Sequence, residues 1–287
     1  TWYGIIDKLV RMQARRDATI IALGGGVVGD IAGFAAASYM RGIRFLQAPT
    51  TLLAQVDASV GGKTAINHVQ GKNLVGAFHQ PGAVFIDSAT LNTLEPREFN
   101  AGVAEVIKYG AIRDAQFFDW LERETSAINA RDPNAIEYLI HRSVLNKAAI
   151  VAQDEKESGV RALLNFGHSF GHALEAETAY RRFLHGEAVA IGMAVATDLS
   201  ESRGLCDPGT TERLATLLVK CGLPAHIPSD LSVEGLAGAL ELDKKAVASG
   251  LRLILLEAIG SARVDDRCEE QQIVDAMLRN REDPAAQ

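Results

Sequence analysis

The chain has 287 residues, 47% of them hydrophobic and 23% charged, which is enough for one large or two modest domains, each with its own core. A formal net charge of −7 argues against nucleic acid as a partner, because phosphate backbones select basic surfaces, but not against a small anion that feels only the field of its cleft. The apolar runs are cut by glycine or charge short of the about 18–20 residues a membrane span needs, the start does not read as a signal peptide, and the scattered Cys206, Cys221 and Cys268 form no metal-type pair, so a reducing cytoplasm is the expected location, with no membrane partner.

TWYGIIDKLVRMQARRDA (1–18) reads as one amphipathic helix that leads into ATIIAL (18–23), a buried parallel strand ended by glycines. A parallel sheet needs several strands, so this start reads as the middle of a domain, and further N-terminal sequence is expected before it. Residues 27–39 are small and apolar, as in a helix buried on most sides; RFLQA (44–48) is a second strand stopped by Pro49, and AVFID (83–87) a third. The strand–helix–strand alternation predicts an α/β layer with right-handed crossovers. Beyond about residue 90 helical periodicity takes over, and only LRLILLEAIG (251–260) reads as a late β excursion. The expected architecture is an α/β domain over residues 1–89 followed by a helical, all-α domain over 90–287, with the cleft between them as the default site.

GGGVVGD (24–30) satisfies G-x-G-x-x-G through Gly24, Gly26 and Gly29. It lies where a strand gives way to a helix, so its backbone N–H groups and helix N-terminus suit a pyrophosphate; the plainer reading is a tight turn. No acidic residue closes the next strand near residue 48 to hold a ribose, so this is not the standard dinucleotide fingerprint. Residues 49–81 form a polar, glycine-rich segment with Asp57, Lys63, Asn67, Lys72 and Asn73. A solvated loop explains the lysines but not the VGGK and GKN settings, where glycine permits close approach while the ammonium reaches an anion. AEVIKYG (104–110) sets Glu105 and Lys108 on one helical face. Exposed, they would be an ordinary ion pair; among Ala, Val and Ile a carboxylate needs a stronger partner, such as a metal.

RALLNFGHSFGHALE (161–175) supplies Arg161, Asn165, His168 and His172, and FLHGEAVAIG adds His185. A lone histidine is usually a satisfied core or surface residue, but three of them with a carboxylate suit a catalytic zinc. Spacing alone favours His168 and His172 as the ligand pair, because i,i+4 puts both on one face.

Taken together, these motifs, with GFAAASYMRG, PREFNAGVAEVIKYG, LHGEAVAIGM and LDKK, resemble the 3-dehydroquinate synthases of the sugar-phosphate cyclase family, in the family's order from residue 16 to 260. Ala58 and Ser169 stand where the family pattern has Ser and Thr, and Glu95-Pro96 replaces a Leu-Pro turn. The family's N-terminal portion, about 80 residues on domain-size grounds, has no counterpart in this sequence. The resemblance implies an NAD-binding α/β domain, a helical metal-binding domain and a cytoplasmic homodimer. It implies Glu105, His168 and His185 as ligands of a divalent metal (zinc first, cobalt second), with His172 left for proton transfer. It implies cofactor contacts at Gly26, Val27, Val28, Gly29, Asp30, Thr50, Thr51, Lys63, Lys72, Thr90, Leu91, Asn92 and Thr93. Catalytic and substrate contacts would fall on Lys108, Lys147, Arg161, Asn165, Arg41, Asp57, Asn73 and Lys244. The implied activity is that of a phosphate-eliminating lyase. It turns 3-deoxy-D-arabino-heptulosonate 7-phosphate into 3-dehydroquinate by transient oxidation, phosphate elimination, re-reduction and an internal aldol step, a stage of aromatic amino acid biosynthesis through the shikimate pathway. The rival readings are another sugar-phosphate cyclase, a metal- and NAD-dependent polyol dehydrogenase, and a non-catalytic relative.

Overall fold

The computed structural model describes residues 1–68, 71–157, 159–246 and 251–282; the side chains of Lys72 and of residues 241–246, Lys244 among them, lie outside the described set. In chain order the elements are α1 (Trp2–Arg11), β1 (Thr19–Gly24), α2 (Gly26–Ser38), β2 (Arg44–Pro49), β3 (Lys63–His68), β4 (Gly71–Phe78), β5 (Ala83–Val84), α3 (Pro96–Arg113), α4 (Ala115–Asn129), α5 (Pro133–Gln153), α6 (His168–Glu177), α7 (His185–Ser202), α8 (Thr210–Lys220), α9 (Val233–Ala246), β6 (Leu253–Ala258), β7 (Ser261–Asp265) and α10 (Glu270–Arg279). They fall into two compact units, Thr1–Gly102 with Ile136–Lys156, and Val103–Ala135 with Glu157–Gln287.

In the first unit β1, β2 and β5 form a parallel sheet in that order, with Thr19 opposite Arg44 and Leu46 opposite Ala83. Gly24 ends β1 at φ +153°, where a Cβ would stand 2.7 Å from a Val28 methyl, so the strand turns into α2 only with glycine there. Small residues let α2 lie flat on the sheet: Ala36 joins Tyr39, Ile43 and Phe45 in a buried cluster. By strand alternation the opposite face carries Ile21 and Leu23, 68% and 69% exposed, with Phe85 alongside at 61%. The first helix stops at Arg11, seven residues short of the end expected for it. The polar, glycine-rich segment contains the antiparallel hairpin β3–β4, with Lys63 opposite Phe78 and Thr64 opposite Ala77. Its alternation is hidden because Gly76 sits opposite Ala65, where a side chain would meet the Thr64 carbonyl at 2.2 Å.

The second unit is helical, with one antiparallel hairpin, β6–β7, whose second strand the sequence did not signal. Its centre is α7, buried from Ala188 to Thr197, and α6 lies against it. The glycines before the two histidines of GHSFGH explain themselves here. Gly167 caps α6 in the left-handed region (φ 78°), and a Cβ on Gly171 would come 3.2 Å from the Ala188 carbonyl group. Gly192 on α7 completes the crossing, since a Cβ there would sit 2.0 Å from the Gly167 oxygen. Among the described residues no helix is long and apolar enough to cross a membrane.

Gly192→Ala sets a methyl against backbone rather than against a flexible side chain, so it should destabilise the chain by about 1–3 kcal/mol or more. Denaturant unfolding followed by circular dichroism measures this; an unchanged midpoint would show that the α6–α7 crossing is looser than described.

Candidate functional site

From residue 101 to 112 helix α3 is buried all round and has no solvated face for a charged side chain, yet this stretch carries two. Glu105 is 0% and Lys108 1% exposed. The Lys108 ammonium lies against Oε2 of Glu105 as an ion pair, without the angles of a hydrogen bond, and neither carboxylate oxygen of Glu105 has a hydrogen-bond partner. His168, first residue of α6, places Nε2 3.5 Å from Oε1 of Glu105, and His185, first residue of α7, places Nε2 3.7 Å from the same oxygen. A donor atom from each of the three lies within 4.8 Å of the others, a spacing able to hold a metal ion.

The His168 imidazole is in the form a metal ligand needs. Burial, then the Lys108 ammonium, then His185 and His172 push the His168 imidazole well below its ordinary pKa, so it is neutral, as a metal ligand must be. Its Nδ1 lies 3.2 Å from the Phe166 carbonyl, which can only accept, so the ring hydrogen is on Nδ1 and the Nε2 lone pair is presented to Glu105. His185 is held at the start of α7 by a cap in which Glu187 Oε2 accepts the Leu184 N–H at 2.8 Å. The donor set, two imidazoles and one carboxylate with room beside them, fits a divalent metal of the zinc type. His172 stands outside this set, exposed, its ring centre 5.7 Å from that of His168 and 6.1 Å from that of His185. Arg161 is buried within the same unit, and Asn165, exposed, donates to Glu157 Oε1 at 2.8 Å.

The first unit holds a second charged cluster. Asp57 lies on a short π-helical turn (Ala54–Ala58) and meets Lys147 of α5, whose Nζ is 2.7 Å from Oδ1 and 2.6 Å from the Asp57 carbonyl oxygen. Asp30, in the first turns of α2, has its carboxyl pushed up to about 6 by burial, with Lys147 pulling down and Asp57 pushing up. A hollow of about 440 Å³ is lined by Asp30, Lys63, Thr64 and Asn73. Val27 and Val28 are exposed beside Gly26, whereas Leu91 is 1% exposed, so its side chain is core and only its main chain can face a ligand. Thr50 and Thr51 follow β2, Asn92 and Thr93 are exposed, and Arg41 is exposed at φ 67°. The expectations placed on the Lys72 and Lys244 side chains fall outside the described residues.

Two residues escaped the sequence reading. The fully buried Gln55 donates from Nε2 to the Pro49 carbonyl, the Asp87 carbonyl and Thr90 Oγ1, each at 3.1 Å, tying the end of β2 to the segment around Thr90. Glu175, 3% exposed, has Oε1 3.6 Å from Nδ1 of His185; its signal was the spacing GHALE, one turn beyond His172 on the same face.

Comparison with known proteins gives a consistent result. The family model described as 3-dehydroquinate synthase N-terminal matches residues 1–101, and that described as 3-dehydroquinate synthase C-terminal matches 102–246. A 3-dehydroquinate synthase of Nitrosococcus oceani is 54% identical over 262 residues, which are 91% of this chain and 73% of that protein. Among solved structures, 2-epi-5-epi-valiolone synthase from Streptomyces hygroscopicus subsp. jinggangensis, with NAD+ and Zn2+ bound, superposes with a TM-score of 0.90 at 31% identity, over 97% of this chain and 78% of that one. A 2-deoxy-scyllo-inosose synthase complexed with carbaglucose-6-phosphate, NAD+ and Co2+ does so with a TM-score of 0.88 at 28% identity, with the same coverage, 97% and 78%.

In the ligand-free chain the Asp30 carboxyl should titrate near 6 rather than near 3.8. The folded state then holds this proton more tightly than the unfolded chain. The associated stability, on the order of 1–3 kcal/mol, is complete below the unfolded value and lost as pH rises through about 6. Carbon-13 NMR titration of the carboxyl checks this: Lys147→Ala should raise the midpoint and Asp57→Asn lower it, and a midpoint that ignores both changes would contradict the cluster.

Proposed function

We propose that this chain, which belongs to the 3-dehydroquinate synthase family, converts 3-deoxy-D-arabino-heptulosonate 7-phosphate to 3-dehydroquinate and phosphate through the residues described above. The observation that carries the reading is the convergence of Glu105, His168 and His185 on one point, in a chain matched over 91% of its length by a synthase of that activity. Those three residues would hold a divalent metal, zinc first. NAD would lie along Gly26 to Asp30, Thr50, Thr51, Lys63, Lys72 and Thr90 to Thr93, with the α/β unit as the cofactor domain and the helical unit as the metal domain. When bound, the metal supplies Lewis-acid polarisation of substrate hydroxyls and NAD a reversible hydride acceptor, so the cycle has no net redox change.

The chain's own residues have separable tasks. His172, the exposed imidazole beside the three ligands, carries a proton to or from a substrate oxygen, a role imidazole commonly takes in general acid–base catalysis. Lys147, Arg161, Arg41 and Lys63 neutralise the substrate's phosphate and carboxylate. Asp57 orients Lys147 through their ion pair, and Asn73, Asn165 and Lys244 meet the remaining polar groups of the substrate. Lys108 sits against the Glu105 carboxylate and holds it in place. A carbon–oxygen lyase working as a cytoplasmic homodimer completes the reading.

Phosphate release from the heptulosonate, measured with and without a chelator, tests the whole. Release that stops on chelation, with no lasting rise in NADH absorbance, is expected. Accumulating NADH would indicate a polyol dehydrogenase, and faster release from another sugar phosphate would indicate a different cyclase. His168→Ala should abolish metal binding. His172→Ala should keep the metal and lower kcat by about 10²–10⁴-fold; equal metal loss in both variants would overturn this division of roles.

A further inference from the structure

We propose that Glu175 is a positioning residue: its buried carboxylate takes the Nδ1–H of His185 and so turns the Nε2 lone pair of that ring onto the point shared with Glu105 and His168. The proposal rests on the metal assignment made above and adds a residue that acts through one of the ligands rather than as one.

The geometry is that of a ring held between two acids. Oε1 of Glu175 lies 3.6 Å from Nδ1 of His185, while Nε2 of the same ring lies 3.7 Å from Oε1 of Glu105. A neutral imidazole carries one ring hydrogen. On Nε2 it would point at the shared oxygen and block coordination; on Nδ1 it faces the Glu175 carboxylate, at ion-pair rather than hydrogen-bond range. A carboxylate behind a ligating histidine fixes both the tautomer and the ring orientation. His185 needs such support more than His168 does. Its side chain is 34% exposed against 14% for His168, and His168 already has the Phe166 carbonyl for its own Nδ1. Glu175 can serve because its backbone is anchored: its carbonyl accepts the Tyr180 N–H at 2.7 Å and the Thr178 hydroxyl at 3.3 Å.

The same atoms admit one other use, a second cation among His172, Glu175 and His185, whose donors also lie within 4.8 Å of one another. That use would require Nδ1 of His185 to give up its hydrogen while Nε2 serves the first cation, so the positioning role is the simpler assignment.

The test is Co2+ uptake by the metal-stripped protein, Glu175→Ala and Glu175→Gln, titrated against a chromophoric chelator while the visible Co2+ absorption is followed. One Co2+ per chain is expected in all three. The dissociation constant should rise about 10–100-fold in the alanine variant, and by a smaller factor in the glutamine variant, whose amide oxygen still accepts. On a His185→Ala background, Glu175→Ala should add little. Affinity of Glu175→Ala within about threefold of the parent would overturn the proposal, being below the effect such outer carboxylates have. So would two Co2+ per parent chain with one lost in the variant, which would make Glu175 a ligand. Should the alanine variant fail to fold, a glutamine variant with parent affinity and an unaltered Co2+ spectrum overturns it equally. No Co2+ uptake by the parent chain would instead sink the metal assignment itself, which keeps the two readings apart.

Discussion

The carboxylate of Glu105 is the constraint around which the helical unit is built. An ionised carboxylate taken out of water costs several kcal/mol unless cations and hydrogen bonds replace its hydration. Among the described residues Glu105 has no hydrogen bond, and it meets the Lys108 ammonium on one oxygen and two imidazole nitrogens on the other, with no exposure. One ammonium leaves Oε1 uncompensated, and the imidazole nearest to it is held neutral by its surroundings. A dication at Oε1 would supply the missing charge, and neutral imidazoles are what it would accept as further ligands. Burial of the acid, neutrality of the base and closeness of Gly167 to Gly192 thus form one arrangement. Without the glycines α6 and α7 could not bring His168 and His185 to the same oxygen.

The α/β unit solves a different problem by related means. Asp57 and Lys147 lie 90 positions apart in sequence, and the ammonium contacts both the side chain and the backbone carbonyl of Asp57. This double grip fixes a basic side chain that would otherwise sample many rotamers, so an anion arriving there meets a preset charge. Asp30 stands within reach of both and pays with a raised carboxyl.

The sheet strands, the Gly24–Gly29 turn and the helical character of the C-terminal half were legible because each rests on a local rule: apolar runs between breakers, glycine where the backbone turns, 3.6-residue periodicity. The hairpin β3–β4 was not, because its lysines, asparagines and glycines serve purposes other than a half-buried strand and break the alternation that signals one. The strand SARVD escaped for a similar reason, being short and largely polar. For the histidines, spacing favoured His168 with His172, since a helix does place them on one face. What it could not show is that α7 brings His185 Nε2 to 3.7 Å from Oε1 of Glu105. Which side chains share a point is a tertiary fact, set by the α6–α7 crossing, and it was the resemblance, not the spacing, that grouped Glu105 with His168 and His185. Glu175 and Gln55 were overlooked because each acts on other protein groups, and a single sequence marks such residues only by burial it does not display.

Fold and substrate separate along the same line. The valiolone and inosose synthases share this architecture at TM-scores of 0.90 and 0.88 with 31% and 28% identity, while a dehydroquinate synthase shares 54%. A scaffold that carries dinucleotide and metal can serve several sugar phosphates, so discrimination must lie in side chains around it. Carbaglucose-6-phosphate offers one anionic group, whereas the heptulosonate offers a phosphate and a carboxylate. A second anion needs a second fixed cation, and the helical unit holds one in Arg161, whose guanidinium is 1% exposed. Guanidinium is the cation best suited to burial beside a carboxylate, because its planar fork matches both oxygens and stays charged at any working pH. Under the function proposed above, Arg161 would answer the carboxylate of the heptulosonate as other cations answer its phosphate.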